Sequence, residues 1–314
     1  MSRRPTIIRD DDLTAAALCA RVYHAKSASP PPENLVALTY DYSARTGFYA
    51  EAWGQRDPED PSRLERIFLV CRGTVAQRPV EGGLFPDVDL KKSYRSDQLR
   101  NIVADIRIAL GMKSALLDDG VKFYNHLKRQ FGNINIVPVG HSLGGAVANH
   151  ILAQTQGDED RCRQAITFNA LPYQFNLKAI PDKKRVVAIS HKTINYRIAT
   201  DYLTRNPLLR IAARLLRRQT AGRDVLLPAG TANSFVARVV TSHGISTVME
   251  SLSDVHSRQR QLGIRPIDPN WVAQLTKQTT APQAGSADKL KDLAAATKCN
   301  AATRHRAALG PAAC

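Results

Sequence analysis

Midway along the chain, Gly140-His141-Ser142-Leu143-Gly144 sets a serine between two glycines. The apolar, β-branched run Ile134-Asn-Ile-Val-Pro-Val leads in. Gly145, Ala146, Val147, Ala148, Ile151 and Leu152 lead out with the spacing of a buried helix. A serine hydroxyl is a weak nucleophile, so its chemistry requires that a sharp strand-to-helix turn thrust it toward a base. Such a turn strains the serine backbone and crowds its neighbours. Gly140 and Gly144 therefore fit the structural positions of the elbow, and Gly145 lets the helix lie close on the sheet. The plain alternative, a glycine-rich loop with Ser142 as an ordinary helix N-cap, leaves the flanking strand and helix unexplained. Pro138 stands against the assignment, because a central strand needs its N–H. It is expected to fall where the ladder is ending, just before the elbow.

The serine needs a base, and the base needs an orienting acid. In the strand–elbow–helix arrangement these follow in the order serine, acid, histidine, each at or beyond the C-terminal end of a strand. Asp201 directly follows Ile194-Asn-Tyr-Arg-Ile-Ala-Thr200 and is the best-placed acid. Asp182 precedes a strand, and Asp158 and Asp160 lie in a polar turn. Of the histidines beyond the elbow helix, His191 precedes Asp201 and His305 is near the C-terminus, which leaves His243 and His256. His243 stands between an apolar run and the helix pattern Ile245, Val248, Met249, Leu252, a fixed place from which to project. His256 lies in a charged stretch and is kept as the alternative base; His141 and His150 read as structural or exposed.

Acyl transfer also needs donors aimed at a developing oxyanion. The backbone N–H of Leu143, next after the nucleophile, is one candidate. Thr74 is the other: it ends Arg72-Gly73-Thr74 after an earlier buried strand and offers both N–H and hydroxyl.

Val70-Cys-Arg-Gly-Thr74, Asn101-x-x-Ala-Asp-x-x-x-Ala109-Leu-Gly111 and Gly140–Gly145 together resemble the class 3 lipases and, more closely, their bacterial lipase-like relatives. The helix opening Asp12-Leu-Thr-Ala-Ala-Ala-Leu-Cys-Ala fits the same N-terminus. The resemblance spans roughly 10–260; it is strong at the elbow, good at Arg72–Thr74, and loose at Asn195-Tyr-Arg-x-x-x-Asp201 and Ser242-His243-x-Ile245. It implies an α/β-hydrolase fold with a mainly parallel central sheet flanked by helices. It also implies that Ser142 is the nucleophile, Asp201 and His243 its partners, and Thr74 an oxyanion donor.

The elements that must position these residues can be read from periodicity. Asp10-Asp11-Asp12 places acids at the favoured end of a helix bearing Leu13, Ala16, Ala17, Ala20 and Tyr23. Leu35–Tyr42 and Thr46–Trp53 read as a hairpin, Arg66–Arg72 as a buried strand, and Ser96–Leu110 and Ala115–Phe131 as helices. Beyond the elbow, Ala165–Asn169, Arg185–Ser190 and Thr193–Ala199 read as further strands. Strands alternating with helices argue for a mainly parallel sheet covered on both faces.

The 314 residues hold one sizeable core plus a tail: a hydrolase domain over 1–265 and a linker and flexible tail over 266–314, where Gln, Thr, Ala, Pro, Gly and Ser dominate. No apolar run is long enough to span a bilayer, and the N-terminus lacks the apolar core of a Sec-type signal. The product is thus expected in the cytoplasm, or carried out by a specialised export route. The five cysteines lack metal-type spacing, and nothing calls for a metal or cofactor.

A formal charge of +16 implies attraction to polyanions. Between Asp201 and His243, a Pro207-led helix sets Leu208, Ile211, Ala212 and Leu215 on one face and Arg210, Arg214, Arg217 and Arg218 on the other. That face fits an anionic membrane surface; solvated arginines over core-packed leucines are the plain alternative. The expected function is a serine lipase or phospholipase working through an acyl-enzyme, with a soluble-ester carboxylesterase or thioesterase as the alternative. A membrane- or nucleic-acid-binding protein on an inactive scaffold would leave a complete catalytic set without purpose, so nucleic acid is disfavoured as a partner.

Overall fold

The computed structural model describes residues 7–23, 31–74, 114–155, 162, 164–171, 192–201, 223–228 and 243–262. All of these fall in the first of two units, Met1–Ile264; the second, Arg265–Cys314, lies outside the described residues, as do the segments expected as a helix over 96–110 and a strand over 185–190. In chain order the described elements are α1 (Asp10–Arg21), β1 (Leu35–Ser43), β2 (Phe48–Arg56), β3 (Leu64–Cys71), α2 (Ala115–Phe131), β4 (Asn135–His141), α3 (Leu143–Gln154), β5 (Ala165–Phe168), β6 (Thr193–Ile198), β7 (Arg223–Leu227) and α4 (Ile245–Gln261).

The strands form one sheet in the order β1-β2-β3-β4-β5-β6-β7. β1, β2 and β3 pair antiparallel; every later pairing, from β3–β4 to β6–β7, is parallel. Alternation along the strands divides the core into two layers. Phe48, Ala50 and Ala52 of β2 and Ile67, Leu69 and Cys71 of β3 face α2 and α3. Tyr49, Trp53, Phe68 and Val70 face the opposite way, into a layer with α1 and α4 that also takes Val137, Val139, Ile166, Phe168, Tyr196 and Ile198. This mainly parallel sheet with helices on both faces, the elbow in its fourth strand, is the α/β-hydrolase fold.

Local chemistry sets the helix limits. Asp12 holds the start of α1: its Oδ2 accepts the Arg9 backbone N–H at 2.9 Å, and its Oδ1 accepts the Arg9 guanidinium at 3.0 Å. α2 stops at Gly132, which has φ 68° and returns its N–H to the Lys128 carbonyl at 3.1 Å. Asp119 of α2 pins the β1–β2 turn, accepting the Thr46 hydroxyl at 2.7 Å and the Lys122 ammonium at 3.0 Å.

Pro138 is tolerated for a different reason from the expected one. The β3–β4 ladder runs through it, with Leu69 as its partner, whereas the β4–β5 ladder starts only at Val139. Ser142 N–H donates to Phe168 O at 3.1 Å, so alternation turns the Pro138 nitrogen toward β5 as well. It thus points to the side where pairing has not yet begun: a ladder is beginning there, not ending.

The sheet also holds a strand that periodicity did not reveal. β7 is five residues long, and its Leu226 is exposed. It is too short, and its outward-facing Leu226 is apolar like the inward Val225 and Leu227, so no alternation stands out.

α2 packs on α3 through Gly120, where an added Cβ would stand 2.5 Å from Val147 Cγ1. Gly120→Ala should therefore lower the unfolding free energy by about 1–3 kcal/mol through overpacking, read by urea denaturation. Since the contact is made on the layer away from α1 and α4, kcat should be retained in the folded protein.

Candidate active site

The elbow is built by exclusion of side chains. Ser142 joins β4 to α3 at φ 56° and ψ −123°, a backbone region that costs a non-glycine residue about 1–3 kcal/mol. Four hydrogen bonds hold it there. Its N–H donates to Phe168 O at 3.1 Å, and its carbonyl accepts Gly145 N–H at 3.0 Å, Ala146 N–H at 3.4 Å and Leu171 N–H at 3.1 Å. A Cβ on Gly140 would stand 2.1 Å from the Gly144 carbonyl oxygen, and one on Gly144 would stand 2.1 Å from that of Cys71. Both glycines are thus required by close backbone approach, and the second brings the end of β3 against the elbow.

Three side chains meet at this point. His243 Nε2 lies 2.9 Å from Ser142 Oγ, and its Nδ1 lies 3.1 Å from Asp201 Oδ2 and 3.2 Å from Oδ1. The carboxylate only accepts, which places the imidazole proton on Nδ1 and leaves Nε2 as the acceptor of the serine hydroxyl. Asp201 is fully buried, just past β6, with its N–H turned back to Ile198 O at 3.0 Å. His243 stands just before α4 with its side chain 16% exposed, so the imidazole edge is reachable while the acid behind it is dry. This arrangement can draw a proton from the hydroxyl and stabilise the imidazolium that results.

His256, kept as the alternative base, is placed elsewhere. It lies on α4 with Nε2 3.1 Å from Asp10 Oδ1, at the start of α1. Beside it, the Ile8 N–H donates to Gln259 Oε1 at 3.1 Å. These contacts make His256 part of the α1–α4 packing.

The oxyanion candidates stand on either side of the serine. Leu143 opens α3, where helix N–H groups point outward without intrahelical acceptors and the helix dipole favours negative charge. Thr74 follows Gly73, whose added Cβ would lie 3.2 Å from Ser142 Cβ. The strand end before it is anchored. Arg72 N–H donates to Tyr49 O at 2.9 Å, and its guanidinium lies 4.7 Å over the Tyr49 ring. Tyr49 in turn donates its hydroxyl to buried Glu51 at 2.6 Å, which also accepts Trp53 Nε1–H at 2.8 Å.

Behind the site runs a chain of polar groups that sequence reasoning missed. Gly73 N–H donates to Tyr23 Oη at 2.7 Å, Tyr23 Oη lies 3.3 Å from His141 Nδ1, and His141 Nε2 lies 2.7 Å from the His243 carbonyl oxygen. Asn169 Nδ2 donates to that same oxygen at 3.2 Å. His141, read from sequence as structural or exposed, is 6% exposed, and burial lowers its pKa to about 3. Two weak signals for these residues exist in the sequence: an asparagine ending an apolar strand and a tyrosine ending an apolar helix. The four arginines at 210, 214, 217 and 218 lie outside the described residues.

No protein-family model matches the chain, and no curated protein matches it. Among solved structures, it is similar to a triacylglycerol lipase from Penicillium expansum, with 16% identity, TM-score 0.40, and 70% of this chain and 79% of that one covered. A triacylglyceride lipase from Rhizomucor miehei matches at 16% identity and TM-score 0.41, over 72% of this chain and 82% of that one. Lipase II from Rhizopus niveus matches at 13% identity and TM-score 0.44, over 71% and 82%.

The two histidines separate cleanly by substitution. His256→Ala should leave kcat within about 2-fold of wild type, because it only loosens the α1–α4 contact, whereas His243→Ala should remove nearly all turnover of any substrate the serine attacks. Steady-state hydrolysis of a short p-nitrophenyl ester by each purified variant makes the comparison.

Proposed function

We propose that this protein is a serine hydrolase that cleaves carboxylic ester bonds of lipids through an acyl-enzyme. The observation that carries the reading is the continuous line Ser142 Oγ–His243 Nε2 at 2.9 Å and His243 Nδ1–Asp201 Oδ2 at 3.1 Å, with the serine at a strained elbow. His243 takes the Ser142 proton as Oγ attacks the ester carbonyl carbon. The tetrahedral oxyanion accepts hydrogen bonds from the Leu143 N–H and from Thr74. On collapse, His243 returns the proton to the leaving alkoxide, and the acyl group stays on Oγ. Water, deprotonated by the same imidazole, then releases the acid and restores the serine.

The lipid class of the ester rests on the likeness of Val70–Thr74, Gly140–Gly145 and Ser242–Ile245 to class 3 lipases, and on charge. A net +16 favours an anionic surface, so phospholipid is the preferred head-group class, with the Pro207–Arg218 segment as the contact. No helix among the described residues is long and apolar enough to cross a membrane.

Two experiments test the two levels of this reading. Ser142→Ala should abolish labelling by a fluorophosphonate and lower ester turnover by roughly four to six orders of magnitude. Labelling that persists with undiminished hydrolysis overturns the serine mechanism. Binding to phosphatidylglycerol-rich vesicles should weaken steeply as salt shortens the Debye length below about 8 Å. The combined change of Arg210, Arg214, Arg217 and Arg218 to Gln should abolish that binding and spare turnover of a soluble short-chain ester. Unchanged vesicle binding would withdraw the phospholipid preference and leave an ester hydrolase of unspecified head group.

A further inference from the structure

The main-chain carbonyl of His243 is held by side chains from two other elements. His141 ends β4 and approaches it at 2.7 Å; Asn169 follows β5 and approaches at 3.2 Å. Both donors are buried. Burial keeps His141 neutral, so it carries a single ring proton. Because a carbonyl can only accept, that proton is on Nε2, and Nδ1 accepts from the Tyr23 hydroxyl. The Tyr23 oxygen then accepts the Gly73 N–H. Each ring nitrogen of His141 then has a defined role, Nε2 as donor and Nδ1 as acceptor.

Asn169 is set with equal definition. It has φ 40°, a left-handed conformation that asparagine tolerates better than most residues. Its N–H donates to Tyr196 O at 2.8 Å, and its Oδ1 accepts Ile198 N–H at 2.9 Å. Ile198 is also the residue whose carbonyl accepts Asp201 N–H. The amide of Asn169 therefore touches both the strand end that delivers the acid and the backbone of the base.

We propose that His141 and Asn169 are positioning residues for the base, jointly fixing the His243 carbonyl so that its imidazole reaches Ser142 and Asp201 at once. The proposal rests on Ser142 being the nucleophile. His243 lies 101 residues beyond Ser142, so chain connectivity does little to align them. The imidazole turns about two side-chain bonds only, and the position of its backbone decides its reach. A displacement of about 1 Å can cost a factor of about 100 in rate. Anchoring the carbonyl to the ends of β4 and β5 refers the base to the same strands that hold the serine. The hold is on a main-chain oxygen, so it persists while the ring gains and loses its proton.

Conservative variants test this. His141→Gln carries an amide donor where Nε2 stood, whereas His141→Phe removes it. Asn169→Gly accepts φ 40° and removes the donor; Asn169→Asp keeps the Oδ1 acceptor and replaces the donor by an oxygen. His141→Phe, Asn169→Gly and Asn169→Asp should each lower kcat for p-nitrophenyl butyrate, and the rate of fluorophosphonate capture by Ser142, by about 10- to 100-fold with KM nearly unchanged. His141→Gln should recover kcat to within about 5-fold of wild type, since the donor survives. All are measured on protein shown to be folded by circular dichroism, with Tm recorded. Wild-type kcat in Asn169→Gly, or a His141→Gln enzyme as slow as His141→Phe at a similar Tm, overturns the proposal. Ser142→Ala is run beside them: if it still hydrolyses the ester, the serine reading itself has failed, which is a different result from dead Ser142→Ala with fully active positioning variants.

Discussion

Everything at the site depends on one crowded junction. Ser142 can hold φ 56° only because Gly140, Gly144 and the end of β3 come together without side chains between them. The strain of about 1–3 kcal/mol is offset by the four backbone hydrogen bonds at Ser142, two of which come from α3 itself, one from β5 and one from the residue after Ala170. The serine is therefore strained in dihedral angle and satisfied in hydrogen bonding. That combination keeps it rigid, with its hydroxyl facing His243 Nε2. A methyl group at Gly144 would push the end of β3 away from α3, and one at Gly140 would push β4 away from α3.

Three buried carboxylates, Glu51, Asp12 and Asp201, each have a defined partner. Glu51, facing the same way as Tyr49 and Trp53 by alternation, takes a proton donor from each. Asp12 takes the Arg9 guanidinium and backbone, and Asp201 takes His243. A buried charge without such partners would be costly, and the cost would fall on the layer that carries the site. The α1 helix matters here beyond packing. Its C-terminal turn leads to Tyr23, which links Gly73, just past β3, to His141.

The proposed order of serine, acid and histidine could be read from sequence because it follows from local rules. A glycine-flanked serine between a strand and a helix, and an aspartate just past a strand, each need only a short window. The limits of α2 and the starts of β1 and β5 were legible for the same reason. What stayed hidden depends on distance in the chain. His141 and Asn169 meet the His243 carbonyl across 102 and 74 residues, and no periodicity encodes such a meeting. Glu51 looked like one polar residue in a hairpin strand, because nothing local says that a carboxylate between Tyr49 and Trp53 will be fully buried. The choice between His243 and His256 likewise turned on the partner, Asp10, that α1 presents to α4.

β6 shows how a strand near the sheet's margin can still place Asp201 with precision. Its Tyr196 and Ile198 enter the α1–α4 core, and the alternate residues Asn195 and Arg197 face the other way. There Thr167 of β5 donates to Asn195, whose amide donates to Asp224 of β7 at 3.2 Å. These three residues are direct register partners across β5, β6 and β7. Arg197 joins the row, with Nε 2.9 Å from Asp224 and Nη1 3.2 Å from the Ala170 carbonyl. A short strand such as β7 adds few backbone bonds, and the side-chain row supplies a second set that ties it to β6 and β5. Held from both faces, the end of β6 has little freedom to shift, so the turn that carries Asp201 begins from a fixed point. The apolar face makes the strand stable; the polar face makes its register specific.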